Sequence, residues 1–362
     1  MKILHIINSL NTGGAEKLLL ETIPLYNKKG INVDLLLLND SESPFLIELK
    51  KQKCCNVYSL GKGSVYNPLL IFKIIPYLRK YDVMHVHLFP ALYWVAAAKI
   101  IGFNKIKIIY TEHNTNNKRR SSIIFKYIDK LFYKPYSTLI SISEGVESSL
   151  KEHLRIPPAK FQIINNGVNI KSYSEATAYD KSIFFSQNDF ILIQISSFSI
   201  QKDQQTVIRS LKLLPTNIKL LFVGDGPLKQ ENEKLVKELQ LTERVKFLGI
   251  RTDVAELIKT SDICIQSSKW EGFGLVAVES MAAGKPFIAS DVSGLNAVVR
   301  GAGVLFEQGN YKELANQIIH LSKDKLYCDD VSKRCLERSK KYDIDKMVDK
   351  HIKLYKEILY ER

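Results

Sequence analysis

At 362 residues the chain is longer than one hydrophobic core usually sustains, so two domains are expected. A content of 45% hydrophobic and 25% charged residues is ordinary for a soluble globular protein and excludes a chain unable to bury a core. The net charge of +14 favours anionic partners, whether nucleic acid, acidic lipid or phosphorylated substrate, without choosing among them.

The first residues, MKILHIINSL, carry a short apolar run broken by His5 and Asn8, which reads as a first strand and not as a signal peptide. A helical pattern over about 15–29 follows, then the strand NVDLLLL, a helix through Leu49, a strand near Val57 and a helix over about 68–79. VMHVH, a helix over 91–101, KIKIIYT, a helix over 123–133, STLISIS and FQIINNG complete this half. The stretch 83–103 is the most membrane-like, yet His85, His87, Pro90 and Lys99 interrupt it, so any membrane contact is expected at the surface. The pattern then restarts with ILIQISS, IKLLFVG, RVKFLG, DICIQSS and KPFIAS as strand candidates. The segment from 343 onward is a charged amphipathic helix with no strand after it.

Apolar strands alternating with helices, in two series, predict an α/β protein of two doubly wound parallel-sheet domains. The boundary is expected near 167–173, after NNGVNI. Ligands of such domains bind at the carboxyl ends of the strands, so the loops after strands are where chemistry is sought. Cys54, Cys55, Cys264, Cys328 and Cys335 show no zinc or redox spacing, and they read as reduced thiols in a cytosolic chain.

The strongest chemical signal is WEGFGLVAVESMAAGKPFIASDVSG at 270–294. Glu271 ends a loop, Gly272 and Gly274 flank Phe273, and a helix is expected to begin near Leu275. A helix start offers free N–H groups and a positive dipole end suited to a diphosphate. Glycines let backbone approach a ligand closely. Glu279, about one turn in, is placed to hold two neighbouring hydroxyls such as those of ribose.

The string resembles the signature of the family-four retaining glycosyltransferases of GT-B fold (glycosyl transferases group 1). The resemblance runs through GGAE (13–16), DVMHVH (82–87), TEHN (111–114), SISEGV (141–146), NNGV (165–168), QKD (201–203), VGDGP (223–227), FLG (247–249) and GVLFEQGN (303–310), in family order. It implies that Glu279 holds the ribose and that Glu271 hydrogen-bonds the donor sugar near the reacting centre. Backbone N–H groups of Gly272, Phe273, Gly274, Leu275 and Val276 would contact sugar hydroxyls and phosphate, and Lys202 would neutralise the diphosphate leaving group. Gly13 and Gly14 would meet the distal phosphate, His113 the transferred sugar or the acceptor, and Ile250 and Arg251 the base. Same-face attack within an ion pair needs no covalent carboxylate. One departure stands out: where the family has Gly-Arg-Leu, this chain has Ser196-Ser197-Phe198. A hydroxyl at Ser197 can hydrogen-bond phosphate but does not replace a charge.

Weaker signals remain. His85 and His87 share a strand face at a spacing that could bind a metal, but no third ligand is evident, and no metal or other cofactor is expected. Asp343 and Asp345 read as solvated, and Asp225 either caps a helix or meets the nucleotide. The window 105–134 carries Lys105, Lys107, Lys118, Arg119, Arg120, Lys126, Lys130 and Lys134, interleaved with Phe125, Tyr127, Phe132 and Tyr133. It suits an anionic lipid surface or, equally, a domain helix with one solvated face.

The expected protein is therefore a cytoplasmic hexosyltransferase moving a hexose or N-acetylhexosamine, with 1–167 and a returning helix at 341–362 as acceptor-side domain and 168–340 as donor-binding domain. Its partners would be a nucleotide sugar, UDP favoured over GDP, and a saccharide or lipid-linked acceptor, with an anionic membrane surface as a further candidate and no nucleic acid. Cell-surface polysaccharide or capsule synthesis is the expected setting. The alternatives are an inactive transferase that only binds donor, an epimerase or phosphorylase of the same architecture, and a basic membrane- or nucleic-acid-binding module.

Overall fold

The structure is a computed structural model that describes residues 1–115, 119–120, 122–157 and 160–360. The chain divides into two compact units, Met1–Gly167 with Ile344–Arg362, and Val168–Asp343.

The first unit contains β1 (Lys2–Ile7), α1 (Gly14–Lys28), β2 (Asn32–Leu37), α2 (Pro44–Gln52), β3 (Val57–Ser59), α3 (Leu70–Ile74), β4 (Val83–His87), α4 (Ala91–Ile101), β5 (Lys107–Glu112), α5 (Ile123–Tyr133), β6 (Thr138–Ser141), α6 (Glu144–Leu154) and β7 (Phe161–Ile163). Its seven strands form a parallel sheet in the order β3-β2-β1-β4-β5-β6-β7. β4 is buried at every position, and β1 at all but its first, as helices on both faces require of a parallel strand.

The second unit contains α7 (Ile170–Ser174), β8 (Phe190–Ile195), α8 (Gln204–Leu211), β9 (Ile218–Val223), α9 (Lys229–Glu238), β10 (Val245–Phe247), α10 (Val254–Thr260), β11 (Ile263–Gln266), α11 (Leu275–Ala282), β12 (Phe287–Ser290), α12 (Leu295–Val299), β13 (Val304–Phe306), α13 (Tyr311–Lys323) and α14 (Lys325–Ser339). The sheet is parallel, in the order β10-β9-β8-β11-β12-β13. In each sheet the first strand of the unit lies between a strand that follows it directly and one that arrives by a long crossover. β1/β4 and β8/β11 are thus the points where the strand order reverses and a crevice opens at the carboxyl ends.

Three details depart from the sequence expectation. The helix expected over 68–79 is α3 continued as a 3₁₀ helix over Ile75–Arg79, because Pro76 lacks the N–H that an α-helix would use there. α6 intervenes between β6 and β7, started by Ser143, whose hydroxyl accepts from the Val146 N–H. β13 is a sixth strand in the second sheet, three residues long and too short for its periodicity to be read.

After α14 the chain re-enters the first unit as α15 (Ile344–Tyr360). Its buried residues, Ile344, Met347, Val348, His351, Ile352, Leu354, Tyr355 and Ile358, form one stripe at helical spacing. That stripe lies on α1 and brings two polar rings, His351 and Tyr355, into the interior.

Candidate functional site

In the second unit, the reversal point of the sheet carries a cluster of polar groups. The loop after β8 brings Lys202, and the loop after β11 brings Ser267, Ser268 and Glu271. The Lys202 ammonium pairs with Glu271 Oε1. The same oxygen accepts from Ser268 Oγ at 2.8 Å and from Gln266 Nε2 at 3.4 Å. The main chain at Lys202 is held as firmly: its carbonyl accepts from Gln194 Nε2 and from Ser267 Oγ, both at 3.0 Å. Gln201 and Lys269 join the two loops directly, through Lys269 N to Gln201 O at 2.7 Å and Gln201 Nε2 to Trp270 O at 2.8 Å. A carboxylate and an ammonium so fixed can act on a ligand without first being ordered by it.

Two glycines shape this cluster. At Gly294 φ is +88°, and a Cβ would stand 2.4 Å from the Glu271 carbonyl oxygen, so only glycine lets this loop lie behind Glu271. At Gly224 φ is +130°, and a Cβ would lie 2.1 Å from the Ser196 carbonyl oxygen. Both flank the segments that carry Lys202 and Glu271.

From Glu271 the chain passes through Gly272, buried Phe273 and Gly274 (φ +92°) into α11. Phe273 anchors the turn, with its ring edge-on to Tyr342 at 5.2 Å between centroids. Gly274, Leu275 and Val276 are half-buried, so the start of α11 is accessible where Glu271 and Gly272 are not. Glu279, only 4% exposed, sits one turn further along α11.

Ser197 is exposed, with its hydroxyl 3.4 Å from that of Ser199. Arg251 is occupied by Asp253, with Nε to Oδ1 at 2.7 Å, and Tyr179 donates to the same carboxylate at 2.7 Å. The Arg251 guanidinium holds the Asp253 carboxyl down at about 2. Asp225 accepts from its neighbour Gly226 N at 2.8 Å.

The remaining expected residues, Gly13, Gly14 and His113, belong to the first unit. Gly13 is the residue before α1 and Gly14 its first residue. The Glu16 side chain folds over Gly13, where a Cβ would meet its Oε2 at 2.3 Å, and burial pushes the Glu16 carboxyl upward. His113 follows β5, and its Nε2 lies 3.2 Å from His87 Nδ1. Burial lowers His113 to about 4, so the ring is neutral.

Behind His113 lies a group that the sequence concealed. β1 and β4 are in register at His5 and His85, and His5, His85 and His87 project on one face. Their ring nitrogens lie within 4.8 Å of one another, which makes them the group among the described residues that could hold a metal ion. Strand spacing revealed the His85–His87 pair. His5, the third imidazole, comes from a separate strand, and only the register of the sheet brings it there.

The basic window divides. Arg119 and Arg120 are interior groups and not part of a surface patch: Arg119 pairs with Asp129 at 2.6 Å and Arg120 with Glu112 at 2.9 Å, all four side chains at most 10% exposed. Asp129 also takes a hydrogen bond from Tyr93 and lies 2.8 Å from His153 Nε2. Tyr133 is buried, and Phe132 stacks on Tyr93 at 4.4 Å. On the other side of α5, Ile123, Ile124, Tyr127 and Leu131 are exposed, with Lys134 exposed at its end; Phe125, one turn before Asp129 on the buried side, is exposed at the helix start. Lys118 lies outside the described residues. No described helix is long and apolar enough to cross a membrane.

Comparison with known proteins gives two matching family models, Glycosyltransferase Family 4 over residues 12–172 and Glycosyl transferases group 1 over residues 175–342. The chain is 30% identical to an N-acetyl-alpha-D-glucosaminyl L-malate synthase of Bacillus anthracis over 84% of this chain and 82% of that one. It is 25% identical to an Escherichia coli UDP-Gal:alpha-D-GlcNAc-diphosphoundecaprenol alpha-1,3-galactosyltransferase, over 98% and 96% of the two chains. Among solved structures, Anabaena HepE in complex with UDP and glucose is similar in fold, with a TM-score of 0.87 at 23% identity over 98% of this chain and 99% of that one.

Proposed function

This chain belongs to the group 1 glycosyl transferases, a GT-B family, and from that premise we propose that it is a retaining hexosyltransferase using a UDP-sugar donor. The observation that carries the reading is the Lys202–Glu271 pair at the reversal point of the second sheet, beside the accessible start of α11.

Breaking the bond between the anomeric carbon and phosphate puts negative charge on the diphosphate. Lys202 and the N–H groups of Gly274, Leu275 and Val276 would stabilise that charge as it develops. Glu271, steadied by Ser268 and Gln266, would accept from hydroxyls of the donor sugar, and Glu279 would hold the ribose. Arg251 would border the base. The leaving phosphate would take the acceptor proton, and attack from the same face would retain the anomeric configuration. His113, Gly13 and Gly14 would act from the first unit on the transferred sugar, the acceptor and the distal phosphate.

A saccharide or lipid-linked acceptor is supported by the relative that uses a diphosphoundecaprenol-linked sugar, and a UDP donor by that relative and by HepE with UDP. The exposed apolar side of α5, flanked by lysines, would rest on an anionic membrane on the cytoplasmic side, where such an acceptor is presented. Cell-surface polysaccharide synthesis is the setting that fits these parts.

A second reading draws on Ser197. With an exposed hydroxyl where the family pattern has arginine, the chain would bind donor and fail to turn it over.

One experiment separates them: thermal shift and donor hydrolysis against UDP-, GDP- and ADP-sugars, without added metal, for the wild type and Glu279→Ala. Stabilisation plus nucleoside diphosphate release by one donor, both lost in the variant, is expected. Stabilisation without release would establish the inactive transferase, and no response to any donor would sink both readings.

A further inference from the structure

The rings behind His113 form a continuous row within the first unit. His113 Nε2 faces His87 Nδ1 at 3.2 Å, His87 Nε2 faces His5 Nδ1 at 2.9 Å, and His5 Nε2 lies 3.4 Å from the Tyr355 hydroxyl. That hydroxyl is 2.6 Å from His85 Nδ1, and His85 Nε2 is 2.6 Å from Thr111 Oγ1. Four of the five inner members are at most 3% exposed, and His87 is 5% exposed. Both nitrogens of His5, His85 and His87 are therefore used, and no partner for His113 Nδ1 is found among the described residues.

Ring geometry distinguishes this row from a metal site. His5 and His87 have centroids 5.2 Å apart and planes within 11° of each other, with 2.9 Å between facing nitrogens. His87 and His113 have centroids 5.5 Å apart for facing nitrogens at 3.2 Å. In both pairs the centroids exceed the nitrogens by the same margin, that of two ring radii, so the rings meet head to head. Imidazoles sharing a tetrahedral zinc point at a common centre, with nitrogens about 3.3 Å apart for Zn–N bonds of about 2.0–2.1 Å. The 2.9 Å separation suits a shared proton.

A neutral imidazole has one donor and one acceptor nitrogen, so in a row of them each assignment dictates the next. Burial and the neighbouring imidazoles keep His85 and His87 well below their ordinary range, and burial with His351 lowers His5 to about 3, so the rings are neutral. Tyr355 has a single proton. Of its two imidazole contacts, the one to His85 at 2.6 Å is short enough for a good O–H donor, while the 3.4 Å contact to His5 is left for its oxygen to accept. Tyr26 also hydrogen-bonds this hydroxyl, and a proton given to His85 or to Tyr26 leaves the oxygen equally free to accept from His5.

We infer that Tyr355, His5 and His87 are positioning residues: they form a polarised hydrogen-bond row that fixes the proton of His113 on Nε2 and leaves Nδ1 as an outward-facing acceptor. Tyr355 donates to His85, His5 Nε2–H to Tyr355, His87 Nε2–H to His5, and His113 Nε2–H to His87. An acceptor of fixed direction is what a sugar or acceptor hydroxyl would donate to. The consequence for turnover rests on the transferase reading of His113; the proton assignment does not.

The test is nitrogen NMR on full-length protein labelled with ¹⁵N only at its seven histidines. Couplings across the hydrogen bonds are expected between His113 Nε2 and His87 Nδ1 and between His87 Nε2 and His5 Nδ1, with the His113 proton on Nε2. Tyr355→Phe, which removes one oxygen, should turn His113 into a mixture of tautomers while circular dichroism stays native. It should lower kcat by about tenfold or more at unchanged donor KM. Absence of the couplings in the wild type, a proton on His113 Nδ1, or the same tautomer in the variant would each overturn the row. So would stoichiometric uptake of Zn²⁺ that shifts His5, His85 and His87 together. A tautomer change with kcat unmoved would keep the row and remove His113 from the transferase site.

Discussion

Asp129 is the side chain whose loss should cost most in the first unit. It is 1% exposed and is contacted by Arg119, His153 and Tyr93, which come from a loop, α6 and α4. Asp129→Asn leaves Arg119 without its counter-charge, and a loss of about 3–5 kcal/mol is expected in urea unfolding. Ser197 offers the opposite case. Ser197→Arg adds a cation where the diphosphate is proposed to lie, and an affinity gain of about tenfold for the nucleoside diphosphate is expected in calorimetry. At this scale the sequence was informative where a loop holds its own chemistry: Lys202 and Glu271 were singled out separately, and the structure pairs them. It was silent where the neighbour comes from a distant strand or helix. His5 and Tyr355 are far apart in the chain, and nothing local marks them as partners. Arg119 and Arg120 show the reverse error, because a run of basic residues carries no sign of the carboxylates folded onto it.

Among the elements, α5 is pinned on one side by Asp129 and Tyr133 and bare on the other, where Ile123, Ile124, Tyr127 and Leu131 are each more than half exposed. Ile124→Glu with Tyr127→Glu should abolish sedimentation with anionic vesicles and leave the melting temperature unchanged; retained sedimentation would remove α5 from the membrane proposal. The facing side of β1 and β4 makes a different prediction. Burial holds His5 and His351 at about 3 and His113 at about 4, while the unfolded chain titrates near 6.5. Between these values the unfolded state binds more protons, so stability falls as pH drops below about 6.5, by up to about 1.4 kcal/mol per pH unit for each such ring. The first unit should therefore melt progressively lower from pH 7 to pH 4.5, a trend that His5→Gln should flatten. Long strands such as β1 and β8 were legible because burial on both faces leaves a near-continuous apolar run. β13 and the 3₁₀ turn at Pro76 were not, since three residues carry no period and one proline acts on a single hydrogen bond.

For the whole molecule, the two units differ in how the chain builds them. The second is one continuous stretch, whereas the first needs residues on both sides of it. A fragment of residues 168–343 should fold cooperatively and bind nucleoside diphosphate. Residues 1–167 alone should not fold until a peptide spanning 344–360 is supplied. Folding of 1–167 by itself would show that α15 is dispensable, against the burial of eight of its side chains.

That discontinuity also sets an order of events on the ribosome. When residue 343 leaves the exit tunnel the second unit is complete, yet the first, though translated earlier, still has its histidine-bearing sheet face open. Synthesis thus passes through an interval in which the oldest part of the chain is the least finished. A premature stop codon early in the α15 coding region, before His351 and Tyr355, would freeze that state, giving a product that folds at one end and is recognised by chaperones and proteases at the other.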